Sequence, residues 1–356
     1  MRFVNLNNCK PGMIIARDIF SQNGITLLCA GSELRPTYLE TLKKLGYKGC
    51  YIEDDISKDI KMKEAVSITV RNEAAILLYE TFSKARFGQN TIQKHLLNSI
   101  NDILDDVVDQ IMRNRDSVVN VMSLKTFDQY TYQHSVDVAV LAVYMGKEMN
   151  LVRSQLIELG KASFFHDIGK MFVNQAVLNK PGSLTPIEFE EVKKHPQLGY
   201  DFLKDTMGMS DKICEAALYH HERFDGNGYP TKKEGLKIPL FARIIAVADT
   251  FDAITSKRPY KEAAIPSEAY EYIMASASTQ FDPEIVNVFV KKIAPFPVGV
   301  TVMLSDGREG IVQDNNEHFM MRPIIKLLEP DLTKSNDNSI DLSDPDNIDI
   351  TIVQML

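Results

Sequence analysis

The residues of this chain that could do chemistry are five histidines and two aspartates. The set comprises His134, His166, Asp167, His195, His220, His221 and Asp249. Together they supply nitrogen and oxygen ligands without a thiolate, a combination that suits iron, manganese, cobalt or zinc. Seven side chains exceed what one ion usually accepts, so two ions sharing Asp167 would account for them. Two-metal centres are commonly used for phosphoester hydrolysis, because they neutralise the charge that develops at phosphorus.

Each of these residues taken alone has a second interpretation. His134 shares a helical face with apolar residues, so it could be an ordinary buried histidine. Asp249 follows an almost wholly apolar helical run and needs a partner there, either a metal ion or an arginine such as Arg243 or Arg258. Lys170 is placed so that its ammonium either reaches an anionic substrate or is solvated. The histidine pair 220–221 at a glycine-rich turn is by itself a moderate signal for a metal, and the other residues favour a metal site only in combination.

The elements that position these residues are predicted to be helices from about 67 to 293. His166 and Asp167 end an apolar helical run, so both are expected at or near the interior. His195 precedes a proline that suits the first turn of a new helix. The histidine pair 220–221 closes another helix before a glycine-rich turn, and a helix that ends there lets two adjacent rings face one site.

The order of these motifs resembles the HD-GYP family of phosphodiesterases over about residues 115–290. The matching segments are His134, HDIGK at 166–170, His195 before Pro196, HHERFDGNGYP at 220–230 and DTFDAITSKRPY at 249–260. The HD-GYP family is an all-helical branch of the HD superfamily and hydrolyses the bacterial messenger cyclic di-GMP. The resemblance therefore implies a metal-dependent phosphodiesterase that opens cyclic di-GMP to linear pGpG, to GMP or to both.

The resemblance also implies a role for each site residue. One ion is held by His134, His166 and Asp249, the other by His195, His220 and His221, while Asp167 bridges the two. The implied catalytic residues are Asp167 and Lys170, and Lys170 contacts the scissile phosphate. Iron or manganese is the favoured metal, with zinc, cobalt, magnesium and nickel also compatible.

The same resemblance assigns substrate contacts outside the metal ligands. Arg258 either assists at the phosphates or braces the helix of Asp249. Gly228, Tyr229 and Pro230 form the signature loop of the family, which either shapes the site and meets partners or acts as a rigid turn. The implied partners are cyclic di-GMP itself and a diguanylate cyclase or another signalling protein that docks on this loop.

The number of metal ions is a separate prediction. Some HD-GYP proteins hold a third ion through a glutamate one helical turn before the first histidine ligand. In this chain that position is Tyr130, and a neutral phenol replaces a carboxylate poorly. Asp128 lies off the helical face of His134, and Glu222 belongs by motif to the turn after the histidine pair. The sequence therefore predicts two ions rather than three.

The predicted fold class is mainly α, an all-helical HD-type domain with a small α/β N-terminal domain and a small β-rich C-terminal unit. The predicted divisions are the N-terminal domain 1–65, linking or packing helices 66–114, the HD-GYP domain 115–293, the β-rich unit 294–330 and an acidic, mobile tail 331–356. Within the linking helices a heptad-like apolar seam could either form a homodimer or pack on the next domain. Its members are Leu97, Ile100, Leu104, Val107 and Ile111.

Length and composition restrict the class of protein further. The chain has 356 residues, 44% of them hydrophobic and 25% charged, which is the balance of an ordinary folded protein of two or three domains. No apolar run approaches the roughly 20 residues that span a bilayer, and the N-terminus lacks the apolar core of a secretion signal. The four cysteines have neither disulfide nor zinc-site spacing. We therefore expect a cytoplasmic protein with no membrane partner.

The charge distribution excludes a protein that coats long nucleic acid. The net charge is −8, and the segment 329–350 carries seven acidic residues against one lysine. The rest of the chain is nearly balanced and has no basic footprint. Two other functions remain open, namely a catalytically silent cyclic-dinucleotide sensor or partner-docking module, and an HD hydrolase of another nucleotide. The first would typically lose a metal ligand, and all seven are present.

Overall fold

The helical body of the protein contains every candidate metal ligand. The computed structural model describes residues 1–21, 26–47, 49–62, 64–86, 94–113, 119–120, 132–180, 182–256, 264–328 and 335–356. The helices are α1 (Pro36–Lys44), α2 (Ile68–Arg86), α3 (Lys94–Arg113), α4 (Tyr132–Glu148), α5 (Arg153–Phe165), α6 (Gln175–Leu178), α7 (Pro186–Val192), α8 (His195–Asp205), α9 (Asp211–Tyr219), α10 (Leu240–Thr255), α11 (Pro266–Ala275) and α12 (Pro283–Lys292). Short 3₁₀ helices lie at Ile168–Phe172, Gly235–Lys237 and Pro345–Asn347.

Helix α4 forms the centre of the helical body. All of its residues from His134 to Gly146 are buried, because the segment is apolar on every side and is surrounded by α2, α5 and α10. A helix that is hydrophobic all round is stable only inside a core. Helix α10 is even more apolar and packs directly on α4. These two helices carry His134 and Asp249, so the metal-ligand candidates rest on the least exposed part of the protein.

The apolar seam of α3 lies inside the same core. Ile100, Leu104, Val107 and Ile111 are each at most 1% exposed, and Leu97 packs against them. Helix α3 contacts α2, α4 and α5 of its own chain. The structure therefore favours the packing interpretation of the seam over a homodimer formed through this face.

Most of the strands form small antiparallel sheets near the two ends of the chain. They are β1 (Arg2–Asn5), β2 (Ile14–Ile15), β3 (Ile19–Phe20), β4 (Thr26–Leu28), β5 (Gly49–Glu53), β6 (Val119–Asn120), β7 (Ile293–Ala294), β8 (Thr301–Leu304), β9 (Glu309–Asp314), β10 (Ile324–Leu328), β11 (Ser335–Asp341) and β12 (Ile352–Met355). One sheet has the order β1-β5-β2 and another the order β11-β10-β9-β8-β12. The parallel pair β6–β7 joins the start of the HD region to the end of α12. The predicted fold class, mainly α with small strand units, is confirmed.

The N-terminal and C-terminal strand units share one apolar core, although the sequence analysis treated them as separate. Tyr51, Ile56 and Ile60 from the N-terminal side pack with Val302 and Ile325 from the C-terminal sheet. The Phe3 N–H also donates to the Gly299 carbonyl at 2.8 Å. Each unit alone is too small to bury much apolar surface, which is a physical reason for them to combine.

The C-terminal acidic segment differs from the predicted mobile tail. Residues 335–356 supply β11, which pairs with β10, and β12, which pairs with β8. Ile340 and Leu342 are buried in the shared core. Asp341 also serves as a turn residue, since its Oδ1 accepts the Ser343 N–H at 2.8 Å. The run rich in Asp, Asn and Ser therefore forms the edge strand β11 and the turn after it. Residues 331–334 lie outside the described part of the chain.

No helix in the described part of the chain is long and apolar enough to cross a membrane.

Candidate metal centre

All seven predicted ligands meet at one place, and most of them lie at helix ends. His134 lies in the first turn of α4 and Asp249 near the middle of α10. The other five lie at junctions: His166 and Asp167 follow α5, His195 begins α8, and His220 and His221 follow α9. Helix ends bring side chains of several directions to one point, which explains how ligands so far apart in sequence converge.

The ligand atoms form two groups that share Asp167. One group is Asp167, His195, His220 and His221, the other is His134, His166 and Asp167, and the ligand atoms within each group lie within 4.8 Å of one another. Asp167 Oδ1 lies 3.3 Å from His195 Nε2 and 3.7 Å from His220 Nε2. Asp167 Oδ2 lies 3.4 Å from His166 Nε2 and 3.8 Å from His134 Nε2. The two oxygens of one carboxylate thus face two different groups of imidazoles.

Asp249 belongs to the group of His134 and His166. Its Oδ1 lies 3.2 Å from His134 Nε2 and 4.0 Å from His166 Nε2. The alternative of an Asp249–Arg243 salt bridge is not what the structure shows, because Arg243 pairs with Asp282. The other proposed partner, Arg258, lies outside the described residues, as do Tyr130 and Asp128.

Backbone carbonyls fix the orientation of three histidine rings. The Nδ1 atoms of His166, His195 and His220 lie 2.7, 2.8 and 2.8 Å from the carbonyl oxygen three residues earlier in each case. A carbonyl oxygen can only accept, so each Nδ1 carries the hydrogen and each neutral ring presents the Nε2 lone pair to the centre. Metal-binding histidines use this arrangement to set tautomer and direction.

His134 is oriented by a carboxylate that the sequence analysis did not assign. Its Nδ1 lies 2.6 Å from Asp252 Oδ2, and Asp252 is fully buried one turn after Asp249 on α10. The signal in the sequence was a second aspartate at i+3 on an apolar helix. Only the packing of α10 on α4 shows that it meets the outer nitrogen of His134.

The electrostatics of the centre favour a bound cation. Burial opposes the charged ring of His134, yet the carboxylates of Asp249 and Asp252 raise its pKa to about 10. Burial lowers the pKa of His220 to about 4. Burial also opposes ionisation of Asp167, but Lys170 and His166 hold the pKa of that carboxyl well below its usual range. An ionised Asp167 and a neutral His220 are in the protonation states that a metal requires, and binding of a metal at His134 would displace the proton of that ring.

Two buried polar atoms provide a direct test of whether a metal fits. His166 Nε2 and Asp167 Oδ1 make no hydrogen bond to any described residue, although both atoms are inaccessible to solvent. Buried polar atoms are normally satisfied, so each such atom calls for an explanation. A metal ion in the His134–His166 group would supply the missing partner of His166 Nε2. An ion in the His195–His220–His221 group would supply that of Asp167 Oδ1. The donor set and these two atoms therefore fit divalent metal ions.

Gly169 allows α8 to approach the His166–Asp167 turn. A Cβ atom at this position would lie 1.9 Å from the carbonyl oxygen of His195. The start of α8 could not then come close enough for His195 Nε2 to reach Asp167. The glycine of the HDIGK segment is therefore a positional requirement of the centre, which the sequence analysis did not single out.

Lys170 lies beside the bridging carboxylate. It belongs to the 3₁₀ helix Ile168–Phe172, and its ammonium donates to Asp167 Oδ2. The side chain is 28% exposed and lines a cavity of about 420 Å³ that also reaches His134 and His195. The geometry places a cation where an anionic substrate could enter.

The loop 222–231 holds the ring of Tyr229 against the ring of His221. The Tyr229 and His221 rings stack with centroids 4.8 Å apart and 27° between their planes, and the Tyr229 N–H donates to the His221 carbonyl at 3.2 Å. Gly228 permits this fold of the loop, since a Cβ there would lie 2.3 Å from the Arg223 nitrogen. The His221 ring has no hydrogen bond to a described residue, so ring contacts set its direction, namely this stack and the neighbouring rings of His195 and His220. Pro230, the third residue of the signature loop, lies exposed on the rim of a larger cavity.

Glu222 braces this loop. Its Oε1 accepts hydrogen bonds from the Thr231 N–H at 2.7 Å and the Thr231 hydroxyl at 2.8 Å. It is not a member of either ligand group in the described residues. The structure thus favours placing Glu222 in the turn rather than among the metal ligands.

We expect Tyr229→Ala to weaken metal binding at the His195–His220–His221 group, because His221 would lose the contact that orients it. Tyr229→Phe keeps the ring and should retain wild-type affinity. Metal titration of the apo-protein with each variant measures the effect. Equal metal affinity in the alanine variant and the wild type would contradict a positioning role for the stack.

Comparison with known proteins identifies the family of this chain. The model of the HD domain family matches residues 99–285, more than half of the chain. The chain therefore belongs to the HD domain family, and the HD-GYP type inferred from the motifs is confirmed.

Individual relatives share this region. The chain is 37% identical over 272 residues to cyclic di-GMP phosphodiesterase PA4108 of Pseudomonas aeruginosa, covering 76% of this chain and 64% of that one. It is 37% identical over 175 residues to a cyclic di-GMP phosphodiesterase of Thermotoga maritima, covering 49% of this chain and 47% of that one. The chain thus spans less than two thirds of the length of either relative.

One solved structure shares the fold. It is Bd1817, an HDG"Y"P protein from Bdellovibrio bacteriovorus, with a TM-score of 0.53 and 17% sequence identity. The match covers 81% of this chain and 97% of that one.

Proposed function

We propose that this protein is a metal-dependent phosphodiesterase that hydrolyses cyclic di-GMP to linear pGpG, to GMP or to both. The observation that carries the proposal is the position of Asp167, whose two oxygens face two separate groups of imidazoles. That geometry suits two divalent ions, with iron or manganese favoured by the nitrogen–oxygen donor set. When bound, such ions activate water and neutralise charge on a phosphodiester.

The residues of the centre would have separate roles in binding metal and substrate. His134, His166 and Asp249 would hold one ion, His195, His220 and His221 the other, and Asp167 both. Lys170 would pair with a non-bridging oxygen of the scissile phosphate. Lys170 contacts Asp167 in the present structure. A phosphate bound at the centre would therefore replace the Asp167 carboxylate as the anionic partner of the Lys170 ammonium.

Partners and location follow from the same proposal. The substrate is a messenger inside bacterial cells, so we place the protein in the cytoplasm. The loop around Gly228–Pro230 lies at the mouth of the larger cavity, where it could also contact a diguanylate cyclase or another signalling protein.

A silent sensor is the main alternative of a different class. A sensor needs no complete set of oriented ligands, whereas His166, His195 and His220 each present Nε2 to the centre. The test is incubation of the iron- or manganese-loaded protein with cyclic di-GMP, followed by chromatography of the products. We expect linear pGpG or GMP, and none after chelation of the metal. Tight binding of cyclic di-GMP by the metal-loaded protein without any product would establish the sensor instead.

We expect Lys170→Ala to lower kcat by about 10²–10³-fold, the effect of removing one donor from a developing oxyanion. Metal content should not fall, because the substitution removes a cation that competes for Asp167. Lys161→Ala, on α5 outside both cavities, is the matched control. An unchanged kcat in the Lys170 variant, with the control also unchanged, would show that Lys170 has no part in the reaction.

A further inference from the structure

A second cavity, larger than the one at Lys170, adjoins the metal centre. Its volume is about 780 Å³, and its wall includes His220, His221 and Asp249. A substrate bound at the centre could therefore extend into it. The wall also carries basic side chains from the turn after α7 and from the loop 222–232, namely Lys193, Lys194, Arg223 and Lys232.

Most of these cations already have acidic neighbours. Three of the four cations form local ion pairs: Lys193 with Glu190 at 2.6 Å, Lys194 with Glu191, and Arg223 with Asp225 at 2.8 Å. The ammonium of Lys232 has no hydrogen bond or ion pair to any residue that the structure describes. It is thus the cation of this wall whose charge is not balanced by a described neighbour.

The backbone of Lys232 holds it at the cavity. Its φ is +57°, in the left-handed region that non-glycine residues rarely adopt. The preceding Thr231 is fixed by two hydrogen bonds to Glu222, which is itself 3% exposed. A strained conformation persists only where its surroundings enforce it. The braced loop therefore fixes the backbone of Lys232, an exposed residue, at the edge of the cavity.

We propose that the larger cavity is a subsite for a second phosphodiester group of the substrate, and that Lys232 is the cation that contacts it. The inference rests on the proposed function, since it names how a cyclic dinucleotide would bind at that centre. Such a substrate carries two phosphodiesters in one ring. The metal centre and Lys170 can hold only the one that is cleaved, and the other enters the neighbouring space with its charge unpaired.

The test compares binding and hydrolysis by the metal-loaded protein and two neighbouring variants, Lys232→Ala and Lys233→Ala. Lys233 is the matched control, because its ammonium lies 4.8 Å over the Tyr219 ring and outside the cavity wall. The ligands are a non-hydrolysable phosphorothioate analogue of cyclic di-GMP for calorimetry, and cyclic di-GMP for kinetics. Bis(p-nitrophenyl) phosphate, which has one phosphodiester and no second charge, reports the metal centre alone.

We expect Lys232→Ala to raise Kd for the analogue and KM for cyclic di-GMP by about tenfold or more, as loss of a charged hydrogen bond does. The rate of bis(p-nitrophenyl) phosphate hydrolysis should stay within about twofold of the wild-type rate, because this substrate lacks the second phosphodiester that Lys232 is proposed to contact. Lys232→Arg should restore most of the affinity, and Lys233→Ala should leave every value unchanged.

Three results would overturn the subsite: equal affinity of Lys232→Ala and wild type for the analogue, an equal loss on both substrates, or no binding of the analogue by wild type. A wild type that binds the analogue and cleaves bis(p-nitrophenyl) phosphate but not cyclic di-GMP contradicts the proposed function alone. The calorimetric comparison then still decides the subsite.

Discussion

Replacement of Asp167 by asparagine or alanine is expected to abolish hydrolysis and to remove more than half of the bound metal. The carboxylate places one oxygen 3.3 Å from His195 Nε2 and the other 3.4 Å from His166 Nε2, so it serves both ligand groups at once. An amide of the same size offers one weak oxygen ligand and one N–H donor. No other described carboxylate belongs to both groups. Elemental analysis and product chromatography measure the two effects.

The control for this prediction is Asp201→Asn, an exposed residue on α8 that bonds to Gln197. It should retain wild-type metal content and rate. Thermal unfolding of the apo-proteins must show that the Asp167 variants remain folded, since removal of a buried charge can also change stability. Full metal occupancy in folded Asp167→Ala would show that the carboxylate does not bridge two ions.

The ligands of the centre could be found in the sequence because their types and motif order are distinctive. Histidines next to aspartate, to proline and to each other are rare enough together to indicate one site. The parts that escaped prediction depend on contacts between distant elements. Asp252 reaches His134 only because α10 packs on α4, and Gly169 matters only because α8 begins against it. Neither contact follows from the spacing of residues along the sequence.

The helical fold was likewise predictable and the ends of the chain were less so. The 3.6-residue periodicity and strong apolar character of α4 and α10 specify buried helices. In contrast, the segment after 331 was predicted mobile from its Asp and Asn content. The same residues favour tight turns, and Ile340 and Leu342 supply buried anchors between them. Composition alone does not distinguish disorder from a meander whose strands are short.

The largest stability effect is expected outside the metal centre, from Arg71→Met. Arg71 on α2 is 1% exposed, and its Nη2 donates to Asp137 Oδ1 at 2.8 Å, one turn after His134 on α4. Asp137 is 3% exposed and also accepts from Gln133 Nε2 at 3.0 Å. Removal of the guanidinium leaves a buried carboxylate without its cation, which typically costs about 3–5 kcal/mol of unfolding free energy. Urea unfolding monitored by circular dichroism measures this loss.

An exposed pair and a double variant separate charge burial from lost packing. Arg113 pairs with Asp109 at 3.4 Å, but the Arg113 side chain is 80% exposed, so Arg113→Met should cost less than about 1 kcal/mol. Arg71→Met combined with Asp137→Leu removes both buried charges and should recover most of the stability, because apolar replacements of whole buried pairs are often neutral. A double variant as unstable as Arg71→Met alone would mean that the guanidinium acts by filling space between α2 and α4. Recovery would show that these helices are joined by a charge pair that neither partner can lose singly.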